Sequence, residues 1–158
     1  MGRTGSLFAY EQYGVEPDIF TLAKALGGGV PIGAFLAKEE IADSFEPGDH
    51  GSTFGGNHLA TRAAYTTITT IMEENILENV KKISQYFIDE LNKLVEEFNE
   101  VKGVRGKGLM LALQLEDSID AGEVVNSMFE KGFLINAVQE HALRFLPPLI
   151  INHLLFTS

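Results

Sequence analysis

Lys24 is the residue of this sequence with the clearest capacity for covalent chemistry. It follows the apolar run 18–23 and precedes three consecutive glycines, residues 27–29. If that run is a buried strand, desolvation favours the neutral amine over the ammonium, and a neutral amine can attack a carbonyl carbon to form a Schiff base. The alternative is a strand-end lysine whose long side chain reaches solvent. The segment taken alone favours this alternative.

A second candidate is the polar, glycine-rich loop 48–57. Its glycine amides, the hydroxyls of Ser52 and Thr53 and the start of a following helix together suit a phosphate group. Asn57 either belongs to such a site or only caps the helix. A phosphate site and a plain capped turn are both compatible with this loop.

The third candidate is Arg144, which lies within an apolar strand pattern at 142–146. A planar guanidinium in such a position needs a partner, and a carboxylate matches its geometry best. That carboxylate belongs either to a substrate or to a structural Asp or Glu. The residues alone favour the structural pair.

The front of the chain must position Lys24 and the loop. Residues 18–23 and 31–37 have the pattern of buried strands, 38–45 fits a short helix, and a helical pattern starts at His58. Strands alternating with helices predict part of a parallel α/β sheet.

The back of the chain must position Arg144. Residues 76–100 carry one apolar stripe and predict a long helix. Beyond it the pattern predicts a small α+β unit: a glycine-rich turn at 102–107, a strand at 109–115, a helix at 120–131 and two strands, 132–137 and 142–146, that could pair.

Composition excludes several classes of function. The 158 residues include 22 acidic and 12 basic side chains, giving a net charge of −10, which disfavours nucleic acid and anionic membranes as partners. There is no cysteine, and the four histidines lack metal-ligand spacing, so no metal site is expected. We see neither a signal peptide nor an apolar run of the ~18 residues that span a bilayer, so we expect a cytoplasmic protein.

In combination, five segments resemble the class III pyridoxal-phosphate-dependent aminotransferases, and within them the acetylornithine branch. These segments are 2–5, 17–29, 50–57, 134–137 and 143–149. The resemblance implies an α/β protein of the aspartate-aminotransferase-like (PLP-dependent transferase) fold. It further implies that 1–75 belong to the large, cofactor-binding domain, 76–100 to a connecting helix and 101–158 to a small C-terminal α+β domain.

The resemblance also assigns roles to single residues. Lys24 matches the lysine that binds pyridoxal 5′-phosphate as a Schiff base and later moves a proton at the substrate α-carbon. Thr53 matches the residue that reaches the cofactor phosphate of the other subunit in a homodimer, with Ser52 assisting. Arg144 matches the arginine that binds the substrate carboxylate, and Asn57 is assigned to substrate binding.

The reaction implied is transfer of an amino group from N-acetylornithine to 2-oxoglutarate, in arginine biosynthesis. Ornithine, succinylornithine and 4-aminobutyrate transaminases are alternatives, as is a non-catalytic, dimerising remnant. Family members are much longer, and the aspartate, ring-stacking aromatic and main phosphate loop that they carry upstream have no counterpart in the sequence. We therefore expect a fragment that does not transaminate alone.

Overall fold

The computed structural model describes residues 1–153, and its contacts divide the chain into two compact units. The first unit contains Met1 and residues 6–76, and the second contains residues 2–5 and 77–153. Residues 154–158, the last part of the predicted C-terminal domain, lie outside the described residues. In the described part of the chain, no helix combines the length and the apolar character needed to cross a bilayer.

The first unit contains a small sheet and a helix that together frame Lys24. Its elements are a 3-10 helix Ala9–Tyr13, strand β1 (Ile19–Leu22), a 3-10 helix Lys24–Gly27, strand β2 (Ala34–Ala37), helix α1 (Glu39–Ala42) and helix α2 (His58–Glu73). The two strands were expected from their apolar runs.

The predicted arrangement of these two strands is wrong in two respects. Strands β1 and β2 are antiparallel, with Ile19 opposite Ala37 and Leu22 opposite Ala34. The connection 23–33 holds only a 3-10 turn, and a parallel crossover requires a longer link that usually carries a helix. Neither strand is buried, because the described residues leave much of both faces uncovered, and Phe35 remains 52 % exposed.

Helix α2 supports the 3-10 turn that contains Lys24. Its inner face is formed by the small residues Ala60 and Ala64 with Ile71. Small side chains allow close packing, and the turn buries Leu26 while Gly28 faces the helix. A Cβ atom at Gly28 would lie 2.9 Å from the hydroxyl oxygen of Thr67, so the absence of a side chain there permits the close approach.

The described part of the second unit forms a four-stranded antiparallel sheet covered by helices. The elements are α3 (Ile76–Glu97), β3 (Val101–Lys107), β4 (Met110–Leu115), α4 (Ala121–Glu130), β5 (Asn136–Ala137) and β6 (Ala142–Phe145), with strand order β3-β4-β6-β5. The core is an aliphatic cluster between the sheet and the helices, comprising Leu91, Leu111, Leu113, Leu115, Ala121 and Leu143. The predicted α+β unit therefore has a continuous core of its own.

Two local predictions in this unit need correction. Residues 102–107 were expected to be a turn but form most of the edge strand β3, which pairs with β4 across an irregularity between Val101 and Gly103. Its glycines and charged residues hide the alternation that marks a strand. The strand predicted at 132–137 is reduced to Asn136–Ala137, although its pairing with β6 is confirmed.

Candidate functional site

Lys24 is exposed and lies two residues after the end of β1. It opens the 3-10 helix Lys24–Gly27, with Ala23 in extended conformation before it. The predicted burial of the preceding strand is wrong, because β1 is itself half exposed, and the exposed Lys24 matches the alternative in which its side chain reaches solvent. Its amine makes no hydrogen bond or ion pair with any residue from 1 to 153. The reactive nitrogen is therefore accessible and unoccupied by a protein partner within this part of the chain.

The backbone at Lys24 is strained. Its φ of 55° lies in the left-handed region, which disfavours side chains with a Cβ atom by roughly 1–2 kcal/mol. The turn is stabilised locally by hydrogen bonds from the Leu26 amide to the Ala23 carbonyl (3.2 Å) and from the Gly28 amide to the Ala25 carbonyl (3.1 Å). Buried Leu26 anchors the same turn. Strain of this kind occurs frequently at functional sites, where packing imposes a fixed direction on one side chain.

The loop before α2 is ordered by its own polar side chains. The Ser52 hydroxyl accepts a hydrogen bond from the Gly55 amide at 2.9 Å. The side-chain Oδ1 of Asn57 accepts from the Ala60 backbone amide at 3.0 Å, and its Nδ2 donates to the Phe54 carbonyl at 2.9 Å. Asn57 is thus the N-cap of α2, one of the two interpretations that the sequence allowed.

Thr53 is exposed in this loop. A cavity of about 320 Å³ lies beside the loop and is lined by Pro31, Ile32, Gly33, Phe54, Gly55, Gly56, Asn57 and Ala60. Exposed hydroxyls and a helix N-terminus are compatible with binding of an anionic oxygen. Within the described residues, no hydrogen bond joins this loop to Lys24.

Arg144 lies in the second unit and faces an open cavity of about 470 Å³. Apart from Arg144 and Asn136, the lining is apolar: Phe87, Leu134, Ile135, Phe145, Leu146, Pro147, Pro148 and Ile151. Arg144 and Asn136 are directly opposite each other on β6 and β5, and the Arg144 Nε donates to the Asn136 Oδ1 at 3.2 Å.

The predicted structural carboxylate partner of Arg144 is not found. Among residues 1–153 the guanidinium forms no ion pair with an Asp or Glu, and Asn136 is the polar side chain bound to it. An amide oxygen accepts one of the five N–H donors of an arginine and leaves its charge intact. The remaining donors and the positive charge are available for an external carboxylate.

Two side chains that the sequence did not assign to a site hold the segment beyond β6. Arg3 Nη1 donates to the carbonyls of Leu109 (2.9 Å) and Pro147 (2.7 Å), and burial lowers the pKa of this arginine. Asn79 on α3 donates from Nδ2 to the carbonyls of Leu149 (2.8 Å) and Ile151 (3.1 Å). One feature of the sequence could have identified Asn79 as a residue with a role: it is a polar residue on the apolar stripe of a helix, three positions after Ile76.

The described residues fit pyridoxal phosphate in part. The cofactor needs a lysine amine that can reach its aldehyde, and Lys24 provides one that is exposed and without a protein partner. Ser52 and Thr53 provide hydroxyls of the kind that bind phosphate oxygens. Within residues 1–153 there is no group of three or more histidine, aspartate and glutamate side chains that could hold a metal ion.

Comparison with known proteins identifies the family of the chain. Residues 1–156 match the family described as Aminotransferase class-III. Acetylornithine aminotransferase of Methanocaldococcus jannaschii is 55 % identical over 152 residues, and that of Caldanaerobacter subterraneus subsp. tengcongensis is 52 % identical. In both cases the match covers 96 % of this chain but only 38 % of the relative.

Solved structures of aminotransferases are also similar to this chain. The crystal structure of acetylornithine aminotransferase from Elizabethkingia anophelis matches with a TM-score of 0.88 and 39 % identity, covering 96 % of this chain and 39 % of that one. Ornithine aminotransferase from Toxoplasma gondii matches with a TM-score of 0.90 and 37 % identity, covering 96 % and 37 %. The expected aminotransferase fold is confirmed over this part of the relatives' length. The chain belongs to the class III aminotransferases, a family that depends on pyridoxal 5′-phosphate.

Proposed function

We propose that this chain is the lysine-bearing part of an aminotransferase that moves an amino group from N-acetylornithine to 2-oxoglutarate. The observation that carries the proposal is the state of Lys24: a non-glycine residue in left-handed backbone conformation, with an exposed amine that has no partner in the described residues. The names of the similar proteins support the choice of amino donor. The chain spans about 38 % of their length, so the activity is proposed for the whole protein.

Lys24 would have two tasks in this reaction. Its Nζ would bind the cofactor covalently, and after the substrate displaces it, the same nitrogen would carry a proton to and from the substrate α-carbon. The strained turn would fix the direction in which Nζ points. When bound, pyridoxal phosphate supplies an electrophilic carbon and an electron sink for the charge that develops during proton removal.

Arg144 would bind and orient a substrate carboxylate. Its bond to Asn136 orients the guanidinium, and the largely apolar lining formed by the described residues offers no carboxylate that would compete with the substrate for its charge. Ser52 and Thr53 would bind cofactor phosphate, with Thr53 acting across the interface of a homodimer. Asn57, assigned by resemblance to substrate binding, already uses both ends of its amide to cap α2, so we propose that it acts by shaping the loop.

The proposal includes the setting of the enzyme. We propose a cytoplasmic homodimer in arginine biosynthesis, in which 1–75 belong to the cofactor-binding domain, 76–100 to the connecting helix and 101–158 to the small domain. Ornithine is the second candidate amino donor, because the fold matches ornithine aminotransferase as closely as it matches the acetylornithine enzyme. A side-by-side rate comparison of N-acetylornithine and ornithine, with the whole protein, distinguishes the two.

The role of Lys24 can be tested on this chain directly. The chain is incubated with pyridoxal phosphate, reduced with borohydride and mapped by peptide mass spectrometry. We expect the label to accumulate at Lys24 faster than at other lysines and to be lost in Lys24→Ala. Lys82→Ala is the matched control, since Lys82 is also exposed and without a described partner. Equal labelling of Lys24 and Lys82 would contradict the proposal.

A further inference from the structure

The wall of the Arg144 cavity is an irregular segment with few backbone bonds of its own. After β6 the chain runs through Leu146, Pro147 and Pro148 to Ile151, and all four residues line the cavity. Prolines have no N–H group and cannot extend the sheet. Within this segment the Ile151 amide bonds to the Pro148 carbonyl at 3.1 Å. The position of the wall must therefore depend on what binds its carbonyl groups.

Arg3 binds this wall at one place and the β3–β4 turn at another. Its Nη1 atom bridges the carbonyls of Pro147 and Leu109, and its own carbonyl accepts from the Leu109 amide at 2.8 Å. Thus both the side chain and the backbone of Arg3 are fixed to the same turn. The guanidinium is partly buried against these carbonyls, which makes its bond to Pro147 stronger than that of an exposed arginine.

Asn79 binds the other end of the wall. It lies between Ile76 and Val80, both buried on α3, and its Nδ2 atom donates to Leu149 and Ile151. The two carbonyls belong to an irregular segment, so no described strand or helix bonds to them through its backbone, and a single side-chain amide binds both. The helix therefore determines where Ile151 stands in the cavity.

We propose that Arg3 and Asn79 are positioning residues for carboxylate binding at Arg144. The inference rests on the proposed function of Arg144. Neither side chain lines the cavity, yet together they tie its proline-containing wall to the β3–β4 turn and to α3. A wall held in place before the ligand arrives lowers the ordering cost of binding, since less of the protein must be immobilised with the ligand. The motif 2–5 thereby acquires a role at the substrate site without contacting substrate.

The test measures binding of glutarate, a dicarboxylate without an amino group, to the full chain. Backbone amide NMR signals of Phe145 and Leu146 report occupancy of the cavity. We expect Arg3→Met and Asn79→Leu each to raise the Kd for glutarate roughly fivefold or more, since each lowers the population of the binding-competent wall. Arg3→Lys, which keeps a charged donor, should recover part of the loss.

Arg105→Met is the matched control. Arg105 is exposed on β3 of the same sheet and donates a hydrogen bond to Gln139, so the substitution removes the same charge without touching the wall. Unfolding temperatures are measured in parallel, and binding is compared only where circular dichroism shows each variant folded. A merely structural role would lower the unfolding temperature and leave the Kd unchanged.

Arg144→Met separates the two proposals. If it abolishes binding while Arg3→Met and Asn79→Leu bind as tightly as Arg105→Met, the positioning role is overturned and the role of Arg144 stands. If the unmodified chain binds no glutarate, or Arg144→Met binds it equally well, the role of Arg144 is overturned and the positioning role with it. If Arg3→Met and Asn79→Leu both bind glutarate more weakly than Arg105→Met, and Arg144→Met does not bind it, the role of Arg144 and the positioning role are both supported.

Discussion

Replacing Gly108 by alanine should destabilise the second unit by about 3 kcal/mol, from strain and lost bonds combined. Gly108 has a φ of +59°, and a Cβ atom there would lie 2.6 Å from the Thr4 Cα and closer still to the Arg3 carbonyl oxygen. These are backbone atoms, so no side-chain rotation relieves the clash. Left-handed strain contributes about 1 kcal/mol for alanine.

The remainder comes from the two hydrogen bonds between Arg3 and Leu109, which break when the Arg3 backbone is displaced from Gly108. The Leu109 amide loses the Arg3 carbonyl (2.8 Å), and the Arg3 guanidinium loses the Leu109 carbonyl (2.9 Å). Each such bond contributes about 1 kcal/mol net. We therefore expect about 1 kcal/mol from backbone strain and about 2 kcal/mol from the two lost hydrogen bonds.

Amide hydrogen exchange measures the destabilisation caused by Gly108→Ala within the second unit itself. Leu111 and Leu113 lie in the core of the sheet, so their slowest exchange reports unfolding of the second unit. Gly132→Ala is the control: φ there is +87° and nothing lies within 4 Å of an added Cβ, so only strain of about 1 kcal/mol applies. Equal destabilisation by the two substitutions would refute the role assigned to the contact with residues 2–5.

Two further predictions concern helix capping and pH. The Asp120 carboxylate caps α4 by accepting a hydrogen bond from the Gly122 amide at 2.6 Å. Asp120→Ala should therefore lower the urea midpoint by an amount equivalent to about 1 kcal/mol. Asp120→Asn, which keeps an acceptor oxygen, should leave the midpoint unchanged. The Lys102 ammonium, hydrogen-bonded to Asp117, lowers the pKa of that carboxyl. The pair's stabilisation is therefore present above the carboxyl's unfolded-state pKa and lost as pH falls through the lower folded-state pKa. The urea midpoints of the unmodified chain and Asp117→Asn should converge in that acidic range, and a constant difference would argue against the pair.

Helices were the part of the fold that the sequence predicted best. The predicted start at His58 and the segments 76–100 and 120–131 lie close to helices α2, α3 and α4. An amphipathic period repeats over several turns, and Asn57 and Asp120 are observed as N-caps, so pattern and boundary agree. Strand β3 was missed because its glycines contribute no side chain to an alternating pattern, and its pairing with β4 is a non-local property.

The sequence identified the position of Lys24 but not its environment. The sequence of a short apolar strand does not show whether the faces of that strand are covered, because burial depends on every element packed around it. The predicted burial of the strand before Lys24 was therefore wrong, while the glycine-rich continuation correctly predicted a turn in which positive φ is common. The conformation of Lys24 itself, a left-handed lysine, is imposed by packing of the turn on α2 and could not be deduced from residue type.

The relation between Arg144 and Asn136 shows what the sheet adds to the sequence. In the sequence they belong to two separate motifs, and an apolar strand with an arginine favoured a structural acid as its partner. The antiparallel register places the two residues opposite each other, where cross-strand side chains interact directly. An amide at this position orients the guanidinium, whereas an acid would neutralise it and compete with an incoming carboxylate. The neutral partner therefore favours a ligand-binding role for Arg144 over a structural ion pair.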